Sequence, residues 1–214
     1  MAKAVKRQYD NTRRQAQVRA TRLRVIQAAK GLFIENGYPA TTLDSVADAA
    51  DVPLPTLYRL FGSKRALLTA VLDTSFVGDD QPVAFADRPA VQAALSEPDP
   101  HQLLDAFARI AREFMDRSSA ILHVLASAAQ VDTEAADLLA EIRRQRYAGQ
   151  SRIVAALMER GALDPSLEPS QAADFVYLLW SPDVHRTLTV ERRWTPEQYQ
   201  TWLAYTLRRT LLAQ

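Results

Sequence analysis

The sequence predicts an all-α protein of nine to ten helices. Three observations carry that expectation. Apolar residues recur at three- and four-residue spacing along most of the chain. Ala, Leu and Arg dominate, and the 6 glycines are too few to punctuate a series of short strands. Most apolar stretches open with Ser, Thr or Asp at a cap position, or with Pro in the first turn, where its missing N–H costs nothing.

In chain order, residues 1–18 lack an apolar face and carry Lys3, Lys6, Arg7, Arg13 and Arg14 beside Asp10. They read as a basic arm, either flexible or helical once bound. The first packed helix is predicted over about Arg19 to Asn36, where Val25, Ile26, Ala29, Leu32 and Phe33 make one apolar face and Gly37 follows as a C′ residue. Thr41 and Thr42 offer an N-cap to a short second helix facing inward through Leu43, Val46, Ala47 and Ala50. Asp51, Val52 and Pro53 break it, and a third short helix runs over Leu54 to Phe61. Gly62 ends that helix, and Ser63 caps a longer one through about Ser75.

Residues 78–98 are the least regular stretch, with one short helix near Pro89 to Leu95. Asp99-Pro100 opens a helix to about Asp116, Ser118 or Ser119 another to about Ala129, and Thr133 a long one to about Arg160, stopped by Gly161. Pro169-Ser170, Ser181-Pro182-Asp183 and Thr195-Pro196-Glu197 start the last three.

Charge is distributed unevenly. Residues 1–75 hold twelve Lys/Arg against six Asp/Glu; the remainder holds fourteen against nineteen. A basic head on an acidic body is the electrostatic footprint of a nucleic-acid-binding protein; a solvated charged tail is the blander alternative. The absence of cysteine excludes disulfides and thiolate chemistry. Three scattered histidines give no metal-ligand spacing. No apolar run reaches the ~18 residues of a membrane span, and the polar N-terminus does not resemble a secretory leader. The expected location is cytoplasmic. No nucleophile–base pattern or phosphate-cradling glycine loop is present, so an enzyme is not expected, nor is a cofactor.

Two short helices joined by a tight turn behind a basic helix form a helix-turn-helix arrangement. Val25 to Tyr38, Thr41-Thr42-Leu43, Val46-Ala47, Val52 and Thr56-Leu57-Tyr58-Arg59-Leu60-Phe61-Gly62-Ser63-Lys64 together resemble the DNA-binding domain of the TetR family. The resemblance covers roughly residues 20 to 70; the segment from Trp180 to Asp183 is similar to one subgroup of that family. It implies a basic arm (1–18), a helix-turn-helix DNA-binding domain (19–66), and a helical regulatory and dimerisation domain (67–214). It also implies a homodimer on palindromic double-stranded operator DNA, released by a small-molecule effector, largely apolar in character. A regulator without a small-molecule effector, controlled by a protein partner or by abundance, is the alternative.

The residues allow specific roles. Thr42 can cap the second helix and present its N-terminus to a phosphate. Tyr58 and Lys64 suit phosphate contacts. Arg59 is the recognition-helix side chain able to contact guanine bidentately. By the resemblance Leu54, Pro55 and Thr56 face the groove. The turn departs from the family pattern, with Asp51 where glycine is common and Pro53 where serine is common. Asp tolerates the left-handed conformation, but Pro53 cannot cap with a hydroxyl.

Farther on, most apolar residues read as core. Candidate pocket residues are Phe107, Ile110, Phe114, His123, Tyr147 and Tyr177, with His123 expected to be buried and satisfied inside the run Ile121–Ala126. Arg143, Arg144 and Arg146 read mostly as a solvated face, one of which could pair with an acidic effector. Tyr177, Trp180, Trp202, Leu203, Thr206 and Leu207 are candidates for the dimer interface. There the stripe of Leu203, Thr206, Leu207 and Leu211 is widened by Trp202 and Tyr205.

Overall fold

The computed structural model describes residues 2–78 and 85–213, with side chains described from Arg14 onward apart from Val77. Two compact units divide the chain, Met1–Asp73 and Thr74–Gln214. Among the described residues there are helices and one isolated antiparallel bridge, Leu163 to Leu212.

The first unit contains α1 (Ala2–Ala40), α2 (Leu43–Ala49), α3 (Leu54–Phe61) and most of α4 (Lys64–Val77). The helix predicted from Arg19 begins at Ala2, so the backbone of the arm is helical; the side chains of Lys3, Lys6, Arg7, Asp10 and Arg13 lie outside the described residues. Gly37 interrupts α1 at φ 78°, and the three residues after it return to helix. Val25, Ala29, Phe33, Val46, Leu57 and Leu67 are sealed from solvent and make the core of this unit.

The second unit contains α5 (Pro89–Ser96), α6 (Pro100–Ala128), α7 (Thr133–Glu159), α8 (Pro169–Leu179), α9 (Pro182–Arg186) and α10 (Pro196–Leu211). Helix α6 lies at the centre, packed by α5, α7, α9 and α10. It replaces the two helices expected over Asp99–Ala129. The predicted restart at Ser118 does not occur because its hydroxyl donates back to the Phe114 carbonyl at 2.7 Å. That i−4 bond satisfies a buried serine without ending the helix. The other starts follow their caps: Asp99, Asp132, Ser181 and Thr195 each accept a backbone N–H at the first turn. A π-helical turn at Thr187–Glu191 follows α9.

Candidate DNA interface and ligand cavity

In the first unit, α2 and α3 are held at a sharp turn. Asp51 takes φ 51°, the left-handed conformation its short polar side chain tolerates. Thr42, rather than Thr41, caps α2: its hydroxyl accepts from Ser45 N at 3.0 Å, and Ser45 Oγ accepts from Thr42 N at 3.2 Å. Thr41 is buried instead, its hydroxyl placed against the carbonyls of Leu32 and Gly37. Pro53 precedes α3 with no side-chain cap.

Leu57 and Phe61 are buried one turn apart and anchor α3 to the core. The opposite face is exposed at Pro55, Tyr58 and Arg59, with Thr56 half-buried beside it. Pro55 and Arg59 are themselves one turn apart, so they share the outermost ridge of the helix. Arg59 makes no hydrogen bond or ion pair among the described residues, and Tyr58 is 50 % exposed. Leu54 is half-buried, which leaves only part of its side chain for a groove.

Two basic residues hold helix ends. Arg22 Nη1 donates to the Leu60 carbonyl at 3.2 Å, and its guanidinium lies 4.5 Å over the Phe61 ring. It thus closes the C-terminus of α3. Lys64, expected on a phosphate, points its ammonium at the carbonyls of Tyr38 and Thr41, each at 3.0 Å. A third carbonyl, that of Pro39, stands at 3.4 Å. An ammonium carries three N–H donors, and these carbonyls take them up. Spacing within α3 is visible in the sequence; the loss of Lys64 to a distant helix end is not.

In the second unit a cavity of about 230 Å³ opens among α4, α5, α6 and α7. Its apolar wall includes Phe76, Phe85, Val91, Phe107, Phe114 and Ile142. Phe114 is the hub: it stacks on Phe76 at 5.3 Å and meets the edges of Phe85 at 5.0 Å and Trp180 at 6.2 Å. Such aromatic arrangements are favourable beyond the area they bury. One end of the cavity is polar, formed by Arg146, Gln150 and Trp180. Arg146 Nη2 and Gln150 Nε2 both donate to the Trp180 carbonyl, at 2.6 and 3.1 Å.

Of the pocket residues expected from sequence, the cavity brings together Phe107 and Phe114. Ile110 is buried elsewhere in the core. His123 is exposed, because it projects from α6 between the buried pairs Ile121–Leu122 and Val124–Leu125. Tyr147 is also exposed, edge-on to Tyr177 at 5.6 Å, and neither lines the cavity. Arg146 belongs to a buried corner rather than to a solvated face. The signal for it was present in Ile142, Arg146, Gly149 and Ile153, which share one helix face. Phe76, Phe85 and Val91 come from segments whose approach to α6 only the tertiary fold sets.

The expected interface residues also divide. Leu203 and Leu207 are buried within the chain, since α10 packs along α6, and Leu211 follows them. Trp180 is buried at the cavity. Tyr177, Trp202 and Thr206 stay half-buried. The large apolar side chains left exposed on α8 and α10 are Phe175, Leu178 and Tyr205.

Residues 25–71, the interval from α1 into α4, match the family described as "Bacterial regulatory proteins, tetR family". The HTH-type transcriptional repressor ComR of Escherichia coli is 27 % identical over 159 residues, 71 % of each chain. The HTH-type transcriptional repressor KstR of Mycobacterium tuberculosis is 41 % identical over 76 residues, covering 36 % of this chain and a third of that protein. Among solved structures, SmeT in complex with triclosan superposes with a TM-score of 0.71 at 14 % identity, covering 91 % of this chain and 93 % of that one. NalD, the secondary repressor of the MexAB-OprM multidrug efflux pump in Pseudomonas aeruginosa, gives 0.67 at 22 % identity, covering 92 % and 99 %. The helix-turn-helix, the exposed ridge of α3 and these matches together make residues 25–71 similar to the TetR family of bacterial regulatory proteins and support a DNA-binding transcriptional regulator.

Proposed function

We propose that the chain is a homodimeric repressor whose DNA binding is relieved by a small molecule entering the cavity of the second unit. One observation carries this reading. Phe76, in the aromatic wall of that cavity, sits on α4, the same continuous helix whose earlier turns are built into the helix-turn-helix unit. A ligand that displaces Phe76 therefore acts on a helix that also belongs to the helix-turn-helix unit. The solved complex of SmeT with triclosan supports a small-molecule site in this fold.

In this reading α3 enters the major groove, with Arg59 on a guanine and Pro55 and Leu54 against thymine methyls. Thr56 reaches a base edge, and Tyr58 and the N-terminus of α2 at Thr42 face phosphates. The arm, residues 1–18, follows the phosphates or the minor groove. Its removal is expected to weaken binding and flatten the salt dependence, because fewer counterions are released. Exposed Phe175, Leu178 and Tyr205, with half-buried Tyr177, Trp202 and Thr206, supply the two-fold interface. The protein acts on cytoplasmic DNA and carries out no reaction.

Selection of bound sequences from random DNA, followed by polarisation binding of the selected site, tests the reading. The expected product is a palindrome, released by compounds that raise the thermal stability of the second unit. Binding without sequence preference, or stabilising compounds that leave DNA bound, would overturn it.

A further inference from the structure

The polar end of the cavity has a donor set that the protein itself leaves incomplete. Arg146 Nη2 is used by the Trp180 carbonyl, and the guanidinium lies 5.1 Å from the centre of the Tyr177 ring. Its Nε is buried with no hydrogen-bond partner. Trp180 Nε1, a donor only, is likewise buried and unpartnered, as is the acceptor Gln150 Oε1. All three residues line the same cavity. A second guanidinium, Arg152, lines it too, and among the described residues no acidic side chain does. Burial disfavours the charge on Arg146, which arginine nevertheless keeps. The charge of the exposed Asp183 offsets only part of the cost of burying Arg146, and buried donors without acceptors are costly too.

Resting on the reading of this cavity as the effector site, we propose that its polar end binds a carboxylate and that the ligand is a small amphipathic monocarboxylic acid. The carboxylate accepts from Arg146 and from the Trp180 indole N–H. An O–H or N–H on the ligand body meets Gln150 Oε1. The apolar body lies among Phe76, Phe85, Phe107 and Phe114. The planar guanidinium and a carboxylate match as fork to fork, whereas a neutral amide offers one oxygen and no charge. The aromatic wall selects against small hydrophilic anions, which would lose their hydration against it without recompense.

The test uses the full chain and two matched pairs of probes, octanoate with octanamide and 4-phenylbutyrate with 4-phenylbutyramide, measured by titration calorimetry at pH 7.5. For at least one pair the acid is expected to bind about tenfold or more tightly than its amide. This comparison in the wild type requires no variant to fold. In R146M, checked for folding by its thermal melt, the acid should lose that advantage while the amide keeps its affinity; R146K should retain part of it. Equal binding of acid and amide, binding of neither pair, or an acid preference that survives in folded R146M would each overturn the assignment. The same probes are added to the protein on its selected operator. An acid that binds through Arg146 and leaves DNA bound keeps the carboxylate site and removes the effector reading. Neutral compounds that release DNA as well as any acid keep the effector reading and overturn the carboxylate site.

Discussion

The Lys64 ammonium donates to the backbone carbonyl of Tyr38 at 3.0 Å and lies 4.5 Å from the centre of the same residue's ring. One side chain at the start of α4 thus closes the last turn of α1, where helix carbonyls run out of partners and the macrodipole is negative. The two helices that flank α2 and α3 in the chain are tied by this cation.

Lys64→Met should therefore act first on stability. Charge-assisted hydrogen bonds and a cation–π contact, half-exposed here, support an expected loss of about 1–2 kcal/mol. Urea denaturation checks the loss. Operator affinity should fall only as far as the folded fraction falls. A variant of unchanged stability with uniformly weaker DNA binding would return Lys64 to the phosphate backbone.

Arg59→Ala should do the opposite. The side chain is exposed and makes no hydrogen bond or ion pair among the described residues, so stability should stay within about 0.5 kcal/mol. Discrimination at one guanine per half-site should fall by about 1–3 kcal/mol, with a softer preference for neighbouring thymines unchanged. Binding across an operator substitution series is the measurement. A loss equal at every position would place Arg59 on a phosphate.

The capping box of α2 gives a third expectation. Thr42→Ala removes the acceptor of Ser45 N and should cost about 1 kcal/mol, while Thr42→Ser should recover most of it. If Thr42→Ala weakens DNA binding with no change in the melt, the hydroxyl's role is on the DNA.

Assembly can be tested where the stripe of α10 cannot. Leu203 and Leu207 are core, and charging them should unfold the chain. Leu178 and Tyr205 are 61 % and 58 % exposed on two helices that pack together. Leu178→Glu with Tyr205→Glu should leave a folded monomer by sedimentation equilibrium. A double variant that remains a dimer would move the interface elsewhere.

His185 sets a pH dependence. Burial pushes its imidazole below the usual range, opposed by the hydrogen bond to Asp116 at 3.3 Å, and the ring packs edge-on to Tyr199 at 4.8 Å. The unfolded chain then binds the proton more readily than the folded one. The resulting stability is present above about pH 6.5 and is lost as pH falls through the folded-state value. Denaturation at pH 7.5 and 5.5 should show a larger loss for the wild type than for His185→Asn. Equal losses would assign the slope to other groups.

By itself the sequence determined what depends on neighbouring residues. The limits of α3, the cap at Thr42, the left-handed turn at Asp51 and the stops at Gly62 and Gly161 were all legible, because backbone sterics and capping act within a few residues. So was the opposition of Leu57 and Phe61 to Pro55 and Arg59, which needs only the helical period. Tertiary structure decided which partner each face found. The stripe of Leu203 and Leu207 reads alike whether it meets α6 or a second chain, and packing chose α6. Arg146 reads as a surface cation beside Arg143 and Arg144 until α8 brings the Trp180 carbonyl to it. Lys64 reads as a free cation until α1 ends beside it. Each of these outcomes is set by groups 23 or more residues away along the chain, joined only when the helices pack.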